Sequence, residues 1–209
     1  MATNSRPRKS LVQELLETVL LTVILFGAAK FSLQTFMVQG QSMNPTLQDN
    51  EYILVDRISY RFHQDGLPSR GDIVVFKAPP VPSEDYIKRV IALPGDIVAV
   101  RPVAGPDHVP VNHVFVNGRM LSEPYIAAPP DGSSMVFNNV NCVSARGCQY
   151  TVPSKDVFVM GDNRNRSYDS RMWGPLPVAN IVGRALISYW PLNRLSFIQS
   201  QFSYTTSRP

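Results

Sequence analysis

A chain of 209 residues with 44% hydrophobic content can bury the core of one ordinary domain, which excludes wholesale disorder. Its formal charge of +4 is mild and argues against nucleic acid as a partner. Eighteen prolines, scattered rather than clustered, disfavour long helices beyond residue 37.

Residues 1–10 form a basic tail, with Arg6, Arg8 and Lys9 and no acid. The run "LVQELLETVLLTVILFGAAKFSLQTF", 11–36, reads as one helix without proline. Its uncharged part, Thr18 to Ala29, is twelve residues long. That falls short of the ~20 needed to cross a bilayer, so Glu14, Glu17 and Lys30 belong near its interfaces. A basic tail ahead of such a run predicts a single anchor with a cytoplasmic N-terminus. A cleaved secretory signal, using the small residues Gly27–Ala29, and a buried soluble helix are the alternatives; the two glutamates count against the first and the basic tail against the second.

Beyond residue 37 the pattern changes to short β-like runs: "YILVDRISY", "DIVVFKA", "YIKRVIAL", "DIVAVRP", "HVFVNGRML", "DVFVMGD" and "GRALISYW". Turn signals at Arg70-Gly71-Asp72, Pro94-Gly95-Asp96, Asn117-Gly118 and Pro129–Gly132 separate them. With no long helix between, the pattern predicts a mainly β fold, an antiparallel sheet or barrel-like body. The end of the chain, 196–209, reads as a frayed polar tail. Cys142 and Cys148 bracket "CVSARGC", which suits either a small-loop disulfide or two free thiols. No second cysteine pair exists, and His63, His108 and His113 all read as loop residues, so no metal centre is predicted.

Three segments could carry chemistry. Ser42 sits in "VQGQSMNPTLQ", where Gly40 allows an unusual backbone geometry or a close approach and Pro45 constrains Asn44. An ordinary turn serine would look the same. Lys88 lies in "DYIKRVIALPGD", where strand alternation places it on one face with Tyr86 and Val90, and Arg89 on the other. Pushed into apolar surroundings, an amine loses its proton more readily and can serve as a base; on the surface it would pair with Glu84 or Asp85 instead. The third, "GDNRNRSYDSRMWG", is either a solvated polar loop, an anion-binding patch or a buried network that orients something.

In order, "GQSMNPTL", "RGDIVVFK", "YIKRVIALPGD", "VFVNGRMLSEPY" and "GDNRNRSYDSRMWG" resemble bacterial type I signal peptidase over most of 38–100 and 112–185. The resemblance implies a membrane-bound Ser/Lys endopeptidase without cofactor or metal. It would remove signal peptides from exported preproteins at Ala-x-Ala sites. Ser42 matches the nucleophile, whose N–H would bind the oxyanion, and Lys88 the general base. Ser167 matches a serine that hydrogen-bonds the lysine, Asp169 and Arg171 a supporting salt bridge, and Met43 a residue near the substrate pocket. Gly40 stands where some members have a serine as second oxyanion donor, so that donor would be a backbone group or water. The resemblance further implies an extracytoplasmic peptidase domain over 37–195, in the plasma membrane or a thylakoid-type membrane. Because the middle region is short for the family, 101–156 would form a small cap holding the cysteines. Phe36, Met37 and Trp173 are candidate lipid contacts, with the core an equal alternative for Trp173.

Two other functions fit parts of the chain. A self-cleaving repressor-type Ser/Lys protease requires an N-terminal DNA-binding domain, which 1–36 cannot supply. A non-catalytic membrane-anchored β-module would not depend on Ser42 or Lys88.

Overall fold

The computed structural model describes residues 10–62, 66–104, 109–126 and 149–205. The first element, α1 (Leu11–Ser32), opens on a reciprocal cap. Gln13 N–H donates to Ser10 Oγ at 3.3 Å, and Ser10 N–H to Gln13 Oε1 at 3.2 Å. At 1.5 Å per residue its 22 residues reach about 33 Å, and by length and composition it can cross a membrane. The Thr18 and Thr22 hydroxyls donate to carbonyls one turn back.

The helix stops at Ser32, four residues before the predicted end at 36. Leu33–Met37 is a strand, β1, paired antiparallel with β2 (Tyr52–Asp56) from Leu33↔Asp56 to Met37↔Tyr52. Pairing with β2, together with packing of Phe36 against a buried cluster of Val38, Met43 and Ile53, outweighs continuation of the helix.

The remaining elements follow in chain order. They are α2 (Ser59–Phe62), β3 (Ile73–Ala78), β4 (Val81–Ala92), β5 (Ile97–Ala104), β6 (Pro110–Val116), β7 (Arg119–Ser122) and β8 (Gln149–Thr151), then β9 (Asp156–Met160), α3 (Ser170–Trp173), β10 (Leu176–Pro177), β11 (Ile181–Trp190), β12 (Ser196–Phe197) and β13 (Ser203–Tyr204). Among the described residues all pairings are antiparallel, as predicted. One sheet runs β1-β2-β11-β3-β4-β9-β10, with β12 alongside β11; the second runs β13-β7-β6-β5-β8.

Three expectations are corrected here. The middle region is no small appended cap. Its sheet begins at Ile97, before residue 101, and Val98, Val114 and Val116 share one core with Ile91, Phe158 and Met160 of the larger sheet. Nor does the chain fray after 195. Strands β12 and β13 pair with different sheets, Ile198 is buried, and Phe202 and Tyr204 pack on the shared core. His113 lies in β6, not in a loop. Trp173 takes the core alternative, with its ring centroid 6.0 Å from that of Phe76. Cys142, Cys148, His63 and His108 lie outside the described residues.

The fold positions the site through β4. Its first five residues are exposed, Tyr86 and Ile87 are half-buried, and Lys88 to Ala92 are buried between β3 and β9. Lys88 falls opposite Val74, and Arg89 falls between Ile73 and Met160.

Candidate active site

Ser42 sits in a turn anchored at both ends. Gly40 adopts φ +82 with open space around it, so the residue is there for backbone conformation rather than for a close approach. Its N–H donates to Asp49 Oδ1 at 2.7 Å. Further on, Leu47 N–H donates to the Met43 carbonyl at 2.9 Å, and the Asn44–Pro45 peptide is cis. Met43, 1% exposed, roots the turn in the core. The loop after β9 holds the other side. Asn163 donates its N–H to the Ser42 carbonyl at 3.0 Å and its side-chain amide to the Gln41 carbonyl at 3.1 Å. Among the described residues nothing accepts the Ser42 N–H, which leaves that donor available to a ligand.

Lys88, 46 positions away in sequence, brings Nζ to 2.8 Å from Ser42 Oγ. Its side chain is 4% exposed, and Nζ also donates to the Ile87 carbonyl at 2.8 Å. Burial lowers its pKa from 10.5 to about 8; the Asp169 and Asp162 carboxylates oppose the shift and the Arg171 cation assists it. The amine is therefore partly neutral near pH 8 while touching a hydroxyl. Such a pair can move a proton off the oxygen.

Arg89, the next residue, is also buried, at 1% exposed. Its guanidinium grips Asp162 with Nε to Oδ1 at 2.8 Å and Nη2 to Oδ2 at 2.6 Å, lies 4.1 Å from the Tyr125 ring centroid and donates to the Gly71 carbonyl. Thr46 Oγ1 donates to the same carboxylate at 2.5 Å, which ties the serine turn to β4. Sequence reading missed this pair. The available signal was an arginine amid buried strand residues and an aspartate directly after the apolar "VFVM".

Asp169 and Arg171 form an ion pair, with Nε to Oδ1 and Nη2 to Oδ2 both at 2.8 Å. Gly161 N–H donates to Asp169 Oδ2 at 2.9 Å. Burial alone would raise the Asp169 pKa; the hydrogen bonds and charge of Arg171 win, and hold it below the ordinary carboxylate value. Gly161 is required for space. A Cβ there would collide with the Ser167 hydroxyl and the Ser42 carbonyl oxygen. Ser167 departs from expectation, because Lys88 donates to Ser42 and Ile87 instead. The Ser167 hydroxyl is buried beside Asp169 without a well-aligned hydrogen bond.

An open groove of about 690 Å³ runs up to this pair, with Phe36, Val38 and Gly40 on one side and Tyr86, Ile87 and Lys88 on the other. A half-buried hydroxyl and a buried amine at the end of an open groove of mixed apolar and polar lining suit acyl transfer. Comparison with known proteins identifies the class. The family model for signal peptidase, peptidase S26, matches residues 11–190, so the chain belongs to that family.

Its relatives agree. Signal peptidase I of Leptolyngbya laminosa is 37% identical over 96% of this chain and 91% of its own length. Thylakoidal processing peptidase 1 of Arabidopsis thaliana is 35% identical over 76% of this chain and 42% of its own length. A crystal structure of a signal peptidase I from Enterococcus faecalis V583 aligns with TM-score 0.42 and 30% identity, covering 56% of this chain and 96% of that one. The chain is thus an enzyme, a serine endopeptidase of the kind that cleaves signal peptides.

Proposed function

We propose that the chain is a membrane-anchored Ser/Lys endopeptidase that cuts exported preproteins after Ala-x-Ala. The contact of 2.8 Å between a buried amine and a groove-side hydroxyl carries this reading. Neutral Lys88 accepts the Ser42 Oγ proton as that oxygen attacks the scissile carbonyl carbon. The Ser42 N–H stabilises the oxyanion; loss of one such donor costs about 3 kcal/mol in other enzymes. The tetrahedral species collapses, the C–N bond breaks, and Lys88 returns the proton to the leaving amine. Lys88 then takes a proton from water, whose oxygen attacks the ester carbonyl. The bond from that carbon to Ser42 Oγ breaks, and Lys88 returns the proton to Oγ, freeing the acid product and restoring both residues. The Gly40 N–H is engaged by Asp49, so Gly40 shapes the turn rather than the oxyanion site.

Specificity follows from the groove. Strand β1 is the edge of its sheet and offers unpaired backbone groups to an extended peptide. Alternate residues of such a peptide point the same way, so shallow apolar walls ahead of Ser42 exclude large side chains at the first and third positions before the cut. The anchor is α1, whose junction with β1 leaves no free linker. At the other end of β1, where Met37 pairs with Tyr52 and Tyr52 with Trp190, those three side chains are exposed, as are Leu192, Leu195 and Phe197 beyond, an apolar rim suited to the bilayer surface. Arg6, Arg8 and Lys9 keep the N-terminus cytoplasmic, which puts the groove on the opposite side of a plasma or thylakoid-type membrane.

The test is cleavage of a purified preprotein with an Ala-x-Ala site, the product identified by N-terminal sequencing. Ser42→Ala, Lys88→Ala and Lys88→Arg each lose about 10³-fold or more, the last because a guanidinium keeps its proton. Full activity in any of them refutes the mechanism.

A further inference from the structure

The loop after β9 carries three arginines between Gly161 and Gly174, and two are accounted for. Arg164 is buried and pairs with Glu123 at 2.5 Å, and Arg171 is buried and pairs with Asp169. Arg166 is different: it is exposed, lines the groove, and donates Nη1 to the neutral Gln41 Oε1 at 2.6 Å. Among the described residues it has no carboxylate partner. The groove's two acids are engaged elsewhere, Asp85 with Lys77 at 3.0 Å and Glu84 beside the Tyr86 hydroxyl. A full positive charge is therefore held against the residue that precedes Ser42, by an amide that orients it and does not neutralise it.

The direction of the substrate decides which residues meet that charge. Strand β1 starts where α1 ends and runs toward Ser42. A peptide drawn from the bilayer along β1 places the residues before the cut against Phe36 to Gly40. Residues after the cut leave past Ser42, where Gln41 and the loop of Asn163 and Arg166 meet. At about 3.3 Å per extended residue, an arginine side chain reaches the first two of them.

We infer that Arg166 reads the charge of the first two residues after the cut, favouring an acid and disfavouring a base there. A guanidinium binds a carboxylate with two parallel hydrogen bonds and repels lysine or arginine. The inference rests on the proposed cleavage at Ser42 and adds a determinant on the mature side of the bond.

The experiment uses the full chain in detergent and peptides with one Ala-x-Ala site. They differ only in carrying Glu, Gln or Lys at the second residue after the cut, with a matching set for the first. For the wild type, kcat/KM falls in the order Glu, Gln, Lys, with a Glu-to-Lys ratio of about 5-fold at low salt. The ratio narrows in about 0.5 M salt. Arg166→Gln brings it near one, and Arg166→Glu inverts it. Each ratio is taken within one protein, so a change in folded fraction cancels. Equal cleavage of all three peptides by the wild type, or an unchanged ratio in Arg166→Gln, overturns the inference and leaves the proposed function standing. Cleavage of none of them overturns both.

Discussion

Lys88 is a cation that folding places where charge is disfavoured, and this sets the pH behaviour of the site. Its pKa falls to about 8 from 10.5 because burial removes its water. The unfolded chain therefore binds this proton more tightly than the folded one. Below about pH 8 both states are protonated and the penalty, about 3 kcal/mol, applies in full; stability recovers as pH rises from there toward 10.5. Lys88→Met is expected to be inactive yet more stable by about 2 kcal/mol at pH 7 in denaturant unfolding, the difference shrinking above pH 10. The wild-type kcat/KM should climb with pH and level off beyond about 8, since only the neutral amine takes a proton. A flat profile between pH 6 and 9 contradicts this account. Ser42 and Lys88 were legible through the motif resemblance. The Ile87 carbonyl that takes the place of Ser167 beside the lysine was not, because a backbone acceptor leaves no mark in the residue types.

At the scale of elements, β4 explains why the alternation argument was half right. It assigned Lys88 and Arg89 to opposite faces, and strand periodicity does that. It could not tell that both faces are covered. Val90 packs in one cluster with Val74 and Phe76, Ile91 in another with Phe158 and Met160. Each cation therefore needs its own solution: Lys88 sheds charge, and Arg89 keeps it by gripping Asp162. Arg89→Met leaves a buried carboxylate unpaired and should cost about 3–5 kcal/mol. Arg89→Met with Asp162→Leu should recover part of that. The loss is read by denaturant unfolding of the detergent-solubilised chain, and one below about 1 kcal/mol would show that the pair is dispensable. The predicted helix to residue 36 failed for a related reason, because Leu33–Met37 suits either structure until β2 arrives to pair with it.

For the whole molecule, the C-terminal segment ties the two sheets together. Strand β12 adds to β11 and β13 to β7. Between them the Ser200 hydroxyl donates to Asp72, while the Arg70 guanidinium lies 5.7 Å from the Phe202 ring centroid. Ending the chain after Leu195 removes this clamp and the burial of Ile198 and Phe202. The apparent Tm should fall by roughly 5–10 °C, followed by tryptophan fluorescence on heating; an unchanged Tm would make the segment ornamental. By itself the sequence determined the apolar first helix, the antiparallel β body and the residue types at the site, because periodicity, turn residues and local motifs are short-range properties. Only the tertiary structure decided that two sheets share a core, that the last strands clamp them, and that Lys88 is dry beside Ser42. Those facts depend on which distant surfaces exclude water together, and that is a property of packing between segments rather than of any one of them.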